Sequence, residues 1–141
     1  MHKLLVSAVF VLSLNAQLDK NNSLIEHYSV TENTDLINIV IKDNIDIKDR
    51  VTSAGSIALA NNYAKENAFI VQKLIDSNYQ ILGKANLSEW ANFRSTNSIS
   101  GWSSINGQTT HPINQKYNPC GSSSGSDSCC CRWNCRNCYW N

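Results

Sequence analysis

Apolar residues cluster in a few short segments of this chain, and their spacing predicts its main elements. Residues 36–41 (Leu-Ile-Asn-Ile-Val-Ile) form a nearly continuous apolar run, which is typical of a largely buried strand. Turn-forming residues follow at 42–44 and end that strand. Residues 80–83 (Gln-Ile-Leu-Gly) predict a second short strand.

Between these two strands, apolar residues recur at spacings of three and four, which predicts an amphipathic helix from Tyr63 to Ser77. The predicted buried face comprises Ala64, Ala68, Val71, Leu74 and Ile75. A strand, a helix and a strand in this order indicate an α/β unit whose two strands run parallel.

The segments around this unit give weaker signals. Residues 17–35 are polar and have no clear period, so they predict a loose leader or a weak helix. Asn86 could cap a short helix over Leu87–Phe93, because Glu89 follows it at the capping-box position. Residues 95–126 are rich in Ser, Gly, Asn and Thr and predict a long structured loop, a kind of segment that usually carries function.

The first 16 residues have the layout of a secretory signal peptide. His2 and Lys3 give a short polar start, and residues 4–14 are almost wholly apolar but too few to span a bilayer. Cleavage could follow Ala16 or Ser13, and the alternative to a signal peptide is a buried N-terminal helix or strand. The pattern favours export, so we expect a secreted or periplasmic protein.

Length and charge limit the remaining classes of function. The chain has 141 residues, enough for one domain with a hydrophobic core. Its 12 basic and 11 acidic residues form no block of like charge. Proteins that bind nucleic acid or acidic membranes need a basic face, so we expect no nucleic-acid partner and no membrane contact after signal cleavage.

Two segments carry candidate chemistry. Lys42 stands at the carboxyl end of the first predicted strand, where ligands gather in open α/β sheets. Residues 121–126 (Gly-Ser-Ser-Ser-Gly-Ser) form a serine-rich turn that this lysine could reach. A buried lysine can act as a neutral base, and serine–lysine pairs are a known variant of the serine-nucleophile scheme. The alternatives are a solvated lysine and a flexible Gly/Ser linker.

The stretch from Val40 to Ser126 resembles the amidase-signature family in the order and spacing of its motifs. The matching pieces are 41–45 (Ile-Lys-Asp-Asn-Ile), 52–56 (Thr-Ser-Ala-Gly-Ser), 81–95 (Ile-Leu-Gly-Lys-Ala-Asn-Leu-Ser-Glu-Trp-Ala-Asn-Phe-Arg-Ser), 100–103 (Ser-Gly-Trp-Ser), 107–109 (Gly-Gln-Thr) and 118–126 (Asn-Pro-Cys-Gly-Ser-Ser-Ser-Gly-Ser). The Ser-Glu-Trp-Ala-Asn-Phe-Arg piece is similar to the exported, peptide-amidase-like branch. It fits less well with the glutamyl-tRNA amidotransferase branch, which is the alternative within the family.

This resemblance implies an α/β fold in which helices cover a mixed sheet, with residues 36–128 forming an incomplete, N-terminal part of that fold. It implies hydrolysis of the C–N bond of small-molecule or peptide amides, without a metal or an organic cofactor. Lys42 matches the family's lysine, and Ser122 matches the serine that follows a cis peptide bond. The two are therefore expected to relay a proton from a serine nucleophile. Gly121, Ser123 and Ser124 match the turn that is expected to contact substrate.

In the family, the nucleophile follows the serine-rich turn at a distance that places it beyond Asn141. We therefore expect the 141-residue chain to be inactive, because the relay of Lys42 and Ser122 has nothing to activate. A non-catalytic exported protein is the alternative from a different functional class. Cys120 lies within the family motif, and we expect it to be a small buried residue rather than a reactive thiol.

Aromatic residues beside the motifs have two interpretations. Trp90, Phe93 and Trp102 could line an acyl pocket, and packing beneath the loop is the equally simple alternative. His111 has no evident partner in the sequence and is interpreted as a surface residue rather than as a base or a metal ligand.

Residues 129–141 depart from the family, which continues after this turn with a small, alanine-rich apolar helix. This chain instead has Cys-Cys-Cys-Arg-Trp-Asn-Cys-Arg-Asn-Cys-Tyr-Trp-Asn. Read one base later, consecutive cysteine codons (TGY) encode Ala or Val, and each Trp-Asn pair (TGG-AAY) encodes Gly. One allowed translation, Ala-Ala-Ala-Val-Gly-Ile-Ala-Ala-Thr-Val-Ile-Gly-Thr, follows the family without a gap. We therefore attribute this tail to a one-base frameshift near Asp127 or Ser128.

Three other interpretations of the tail rest on cysteine spacing alone. Cys131, Cys135 and Cys138 have the C-x3-C-x2-C spacing of radical enzymes that hold an iron–sulfur cluster. The five tail cysteines could bind zinc, although three adjacent cysteines do not match the usual C-x2-C pairs. Export would also permit a disulfide knot.

The frameshift makes a prediction about the nucleotide sequence. The codon after Asn141 should be TGA, because the shifted frame there encodes the family's next residue, a glutamate (GAR). The shifted frame should then continue into an Asp-Gly-Ser-like motif. Sequencing the locus across codon 127 checks both points, and a shifted frame without that motif would contradict the frameshift.

Overall fold

The computed structural model describes residues 19–29 and 35–133, with side chains up to residue 130. Its elements are β1 (Leu24–His27), β2 (Ile37–Lys42), α1 (Phe69–Asp76), β3 (Tyr79–Ala85), β4 (Trp102–Ser103), β5 (Gly107–Gln108) and α2 (Ser124–Trp133). Two short 3-10 helices lie at Ile57–Leu59 and Glu89–Asn92. The expected signal peptide (1–16) and residues 134–141 of the cysteine-rich tail lie outside the described residues.

Three strands form one mixed sheet in the order β1-β3-β2. Strands β2 and β3 run parallel, with Ile37 opposite Tyr79 and Lys42 opposite Ala85. Both predicted strands and their parallel arrangement are therefore confirmed. Strand β1 pairs antiparallel with the other side of β3, and β4 and β5 form a separate two-stranded ribbon.

Apolar side chains pack on both faces of this sheet. One cluster joins the sheet to α1 and comprises Ile39, Ile41, Ile47, Val71 and Leu74. The other joins the sheet to α2 and comprises Leu24, Val40, Leu82, Ala85 and Cys129. Successive residues of a strand point to opposite faces, so β2 contributes to both clusters. Coverage on both faces explains why its sequence is almost continuously apolar.

Strand β1 is an element that the local pattern does not predict. The segment 17–35 reads as a loose leader or a weak helix, but its residues 24–27 form a strand. The Asp19 carboxylate accepts hydrogen bonds from the backbone N–H groups of Ser23 (2.6 Å) and Leu24 (3.0 Å), and these bonds orient the chain before the strand. Pairing with β3 is a long-range interaction, so it leaves no periodic signal in the segment itself.

Helix α1 begins at Phe69, six residues after the predicted start at Tyr63. The intervening residues are not helical, because Tyr63 and Ala64 pair with the preceding loop. Ala64 N donates to Arg50 O (2.9 Å), and Ala64 O accepts from Asp49 N (2.9 Å). Of the predicted face, Ala64, Val71 and Leu74 are buried as expected, whereas Ile75 is exposed.

The predicted helix over Leu87–Phe93 is replaced by the short, irregular 3-10 turn at Glu89–Asn92. Trp90, Ala91 and Asn92 have φ angles of 52°, 53° and 71°, so the chain turns in the left-handed region instead of continuing as an α-helix. The expected capping box does not form, because Glu89 Oε2 accepts from Ser104 N (3.0 Å) instead. Tertiary hydrogen bonds outweigh the local helix signal at this position.

None of the helices in residues 19–29 and 35–133 has the length and apolar character needed to cross a membrane.

Gly125 makes the close packing of α2 against the sheet possible. A Cβ atom at this position would lie well inside van der Waals distance of Ser23 O and Asn86 O, and 2.5 Å from Asn86 N. All three are backbone atoms, so they cannot move aside as a flexible side chain would. The first turn of α2 can therefore approach the end of β3 only with glycine here.

We expect Gly125→Ala to lower the free energy of unfolding by about 2–4 kcal/mol, since overpacking against backbone forces the helix away from the sheet. Gly107→Ala is the control, because its Cβ would meet nothing closer than 3.5 Å and its cost comes only from its φ of 72°. That cost is about 1 kcal/mol. Urea denaturation measures both, and equal losses would contradict the packing argument.

Candidate active site

The sheet brings Lys42 and the serine-rich turn together. Lys42 is the last residue of β2, and only 5% of its surface is exposed. Its Nζ atom lies 2.9 Å from Ser122 Oγ and 2.9 Å from Ser123 Oγ. Eighty residues separate Lys42 from Ser122 in the sequence, so the contact depends on α2 packing over the end of β2.

The serine-rich turn is held by the segment that follows β3. The peptide bond between Gly121 and Ser122 is cis, and Ser122 O accepts a hydrogen bond from Ser88 N (3.0 Å). A Cβ atom on Gly121 would lie 2.7 Å from Ser88 Oγ and 2.8 Å from Ser100 Oγ. Glycine therefore lets the turn lie directly against these two serines, with the Ser122 hydroxyl directed at Lys42.

Helix α2 starts within the serine-rich turn, at Ser124, and not after it as the loop prediction over 95–126 implies. Ser124 is fully buried, and its Oγ donates to Cys120 O (3.0 Å). Its hydroxyl thus closes the turn internally. Of the residues expected to contact substrate, Gly121 packs against Ser88 and Ser100, Ser123 contacts Lys42, and Ser124 points into the protein.

Asn86 is a structural centre whose role the sequence does not reveal. Its backbone O accepts from Gly125 N (2.9 Å) and its backbone N donates to Ser23 O (2.8 Å), so it ties α2 to β1 and β3. Its side chain donates to Thr109 Oγ1 (3.0 Å) and accepts from Ser103 Oγ (2.8 Å). The only sequence signal is an asparagine at the end of a strand, which reads equally well as a helix cap.

Burial lowers the pKa of the Lys42 amine below its ordinary value of 10.5. A buried ammonium loses its hydration, so the neutral amine is favoured. A neutral amine at hydrogen-bond distance from a hydroxyl can accept that hydroxyl's proton. The geometry and the electrostatics of Lys42 therefore both suit a general base.

A second buried lysine lies on the neighbouring strand, and sequence reasoning missed it. Only 1% of the Lys84 surface is exposed, and its Nζ lies 3.4 Å from Asp43 Oδ1. Burial lowers its pKa, while the charge of Asp43 acts in the opposite direction. A lysine inside an otherwise apolar strand is the one sequence signal that could have indicated it.

Other residues singled out in the sequence lie apart from this contact. Cys120 is exposed, so its expected burial is wrong, and its carbonyl accepts the Ser124 hydroxyl. His111 Nδ1 accepts from the backbone of Ile113 (3.2 Å) and stabilises a loop. Phe93 is 93% exposed, and the Trp102 ring packs against the Arg94 guanidinium at 4.8 Å.

No group of three or more His, Cys, Asp or Glu side chains within the described part of the chain could hold a metal ion. The proposed cluster and zinc ligands Cys135 and Cys138 lie outside that part. The interpretations of the tail as a metal site therefore stay predictions.

Cys130, in the first part of the cysteine-rich tail, is disulfide-bonded.

Comparison with known protein families identifies the family to which the chain belongs. A family model described as Amidase matches residues 5–130. The chain belongs to the amidase family. The match to this amidase model begins inside the expected signal peptide and ends where the cysteine-rich tail begins.

Curated amidase relatives show the same similarity. A probable amidase of Arabidopsis thaliana is 46% identical over 89 residues, which are 62% of this chain and 17% of the relative. A glutamyl-tRNA(Gln) amidotransferase subunit of Sulfurimonas denitrificans is 32% identical over 117 residues, which are 83% of this chain and 25% of the relative. The chain thus spans a quarter or less of the length of these relatives.

Solved amidase structures share the fold. The native peptide amidase of Stenotrophomonas maltophilia is 38% identical, with a TM-score of 0.68 over 80% of this chain and 26% of that enzyme. A peptide amidase bound to the competitive inhibitor chymostatin is 39% identical, with a TM-score of 0.70 over 82% of this chain and 28% of that one. The chain is therefore a piece of the amidase-signature α/β fold, as its sequence predicts.

The buried lysines make a prediction about pH. Between their lowered pKa values and 10.5, the unfolded chain binds more protons than the folded chain, so the free energy of unfolding rises with pH in that window. We expect this rise in the alkaline range below about pH 9.5, before tyrosines ionise. Urea denaturation across the window measures it.

Replacement of one lysine isolates its share of this effect. Lys42→Met should make the rise smaller, because one of the two perturbed amines is gone. Lys48→Met, which replaces an exposed lysine, should leave the slope unchanged. A flat profile in the parent chain would contradict the lowered pKa values.

Proposed function

We propose that this sequence encodes part of an amide hydrolase that uses Lys42 and Ser122 as a proton relay. The contact of 2.9 Å between Lys42 Nζ and Ser122 Oγ carries the proposal. Lys42, neutral because of its burial, accepts the proton of Ser122, and Ser122 accepts the proton of a serine nucleophile. The nucleophile's oxygen bonds to the amide carbon, and the same relay returns the proton to the departing amine.

Water then completes the reaction. The acyl group stays on the nucleophile's oxygen until water adds to the acyl carbon and gives a proton to the relay. The bond between that carbon and the nucleophile's oxygen then breaks, the relay returns the proton to this oxygen, and the carboxylic acid leaves. Backbone N–H groups beside the nucleophile would stabilise the oxyanion in both steps. Each step uses only protein groups and water.

Peptide amides are the proposed substrates, with other small linear amides as the broader class. Support comes from the peptide amidases among the similar structures, one of which binds the competitive inhibitor chymostatin. The glutamyl-tRNA amidotransferase alternative is supported by a match over 83% of the chain, but at 32% identity that protein is the more distant relative. The 46% identity to a plant amidase favours the amidase branch.

We further propose that the 141-residue polypeptide by itself hydrolyses no amide. In this proposal Ser122 belongs to the relay and Ser123 holds the Lys42 amine, so neither is the nucleophile. The nucleophile would come from outside these residues. Export through residues 1–16 remains part of the same proposal and rests on the sequence pattern alone.

A chimera tests the proposed roles. Residues 36–128 would replace the matching segment of the Stenotrophomonas maltophilia peptide amidase, which supplies its own nucleophile. We expect the chimera to hydrolyse a peptide amide. We expect Lys42→Ala and Ser122→Ala each to lower kcat/KM by about 100- to 10,000-fold, the usual range for loss of general acid–base catalysis.

Matched controls separate the relay from general damage. Lys48→Ala and Ser95→Ala replace the same residue types at exposed positions and should keep kcat/KM within about twofold of the unmodified chimera. A folded chimera that loses no activity when Lys42 or Ser122 is replaced would overturn the proposed mechanism.

A further inference from the structure

The strand next to the relay carries an ion pair that the proposed mechanism does not use. Lys84 on β3 reaches three oxygen atoms: Asp43 Oδ1 at 3.4 Å, Ile45 O at 2.6 Å and Thr52 Oγ1 at 3.4 Å. Lys84 and Asp43 each expose only 1% of their surface. The pair is thus enclosed by protein, in contrast to the exposed pair of Arg50 and Glu26.

Asp43 follows Lys42 directly and fixes the chain there from several sides. Its Oδ2 accepts from Ser53 N (3.1 Å), from the Ser53 hydroxyl and from Gly55 N (3.4 Å). Its backbone N donates to Ala85 O (3.0 Å), and its backbone O accepts from Ala54 N (3.1 Å). The peptide unit after the relay lysine therefore has little freedom to move.

Lys84 stabilises the same turn from the other strand. The turn closes through a hydrogen bond from Ile45 N to Lys42 O (3.0 Å), and Ile45 O in turn accepts from Lys84 Nζ. The Lys84 ammonium thus contacts both the residue after Lys42 and the end of the turn. The carboxyl end of β2 is fixed to β3 by side-chain bonds in addition to the sheet bonds.

Stability alone does not explain a pair of this kind. The desolvation of two buried charges can exceed their mutual attraction, and apolar residues of similar volume are often equally stable or better. The position of the pair, directly after Lys42, suggests that it holds the backbone there. A lysine side chain has four rotatable bonds. Its amine can therefore keep contact with two hydroxyls at 2.9 Å only if the backbone of Lys42 is held in place.

We propose that the buried Lys84–Asp43 pair positions the Lys42 amine against Ser122 and Ser123. This inference rests on the proposed relay. Lys84 and Asp43 are positioning residues, because they act through the turn that follows Lys42. The two buried lysines then have separate tasks, one holding the turn and the other exchanging a proton.

The electrostatics agree with this division. Burial is the cause that lowers the pKa of Lys42. For Lys84, burial acts in the same direction, but the carboxylates of Asp43, Asp46 and Glu26 all raise its pKa. These carboxylates favour the charged form of Lys84, which is the form that pairs with Asp43.

Lysine 13Cε chemical shifts, followed by NMR against pH in the full chain, test the inference. Lys84→Met and Asp43→Asn should release the turn and let the Lys42 amine reach water, so the titration midpoint of Lys42 should rise by about 1 pH unit. Lys84→Arg keeps the charge and the donors and should leave the midpoint near that of the parent chain. Arg50→Gln breaks the exposed pair and should have no effect on it.

The outcomes separate this inference from the proposed function. A Lys42 midpoint at its ordinary value in the parent chain would argue against the relay itself. A low midpoint that stays unchanged in Lys84→Met, with only a lower Tm, would assign the pair to stability and overturn the positioning role.

A variant with one unpaired buried charge can lose its fold, so a second variant is needed. Asp43→Asn combined with Lys84→Met leaves no charge unpaired and should still raise the Lys42 midpoint, because the turn has lost its anchor. An unchanged midpoint in the folded double variant, or unfolding of that variant as well, would overturn the proposal.

Discussion

The contact between the Lys42 amine and the hydroxyls of Ser122 and Ser123 depends on burial of the strand that carries the lysine. Helices α1 and α2 cover opposite faces of β2, and the burial that results lowers the pKa of the Lys42 amine. The same packing brings α2, and with it the serine-rich turn, over the end of β2. A single structural arrangement thus lowers the pKa of the Lys42 amine and brings its hydroxyl partners to it.

This arrangement also requires a polar core beside the site. Around the start of α2, the buried side chains include Ser23, Asn86, Ser88, Ser103, Thr109, Ser124, Ser126 and Ser128. Buried hydroxyl and amide groups are costly unless they are paired, and most of these are paired with backbone atoms or with one another. Small polar side chains of this kind let α2 approach the sheet closely and fix its direction, which a purely apolar contact would do less strictly.

The elements that the sequence predicts are those whose signal is local. A continuous apolar run identifies β2, because burial on both faces demands it, and the order of strand, helix and strand gives its parallel pairing with β3. Strand β1 has no such signal, since its partner lies about sixty residues away in the chain. The predicted start of α1 is too early for the same reason. Ala64 fits the helical period, but its backbone pairs with the distant Arg50.

The candidate site divides in the same way. Lys42 and Ser122 follow from family motifs, because chemistry restricts which residue types can stand there. Asn86, Lys84 and Asp43 serve those two residues through contacts between distant segments, and each has an ordinary interpretation in the sequence, as a cap, a surface charge or a turn former. Sequence patterns therefore indicate the groups of the proposed relay more readily than the groups that hold them in place.

Fixing a base has a physical consequence for the rest of the fold. A lysine that must stay neutral cannot be held by a carboxylate, because the negative charge would restore its proton. Neutral hydroxyls must therefore hold the lysine amine, and a rigid backbone must hold the rest of the side chain. In this chain the carboxylate of Asp43 is turned to Lys84, so the strong ionic restraint acts on the turn and leaves the Lys42 amine in a setting of serine hydroxyls.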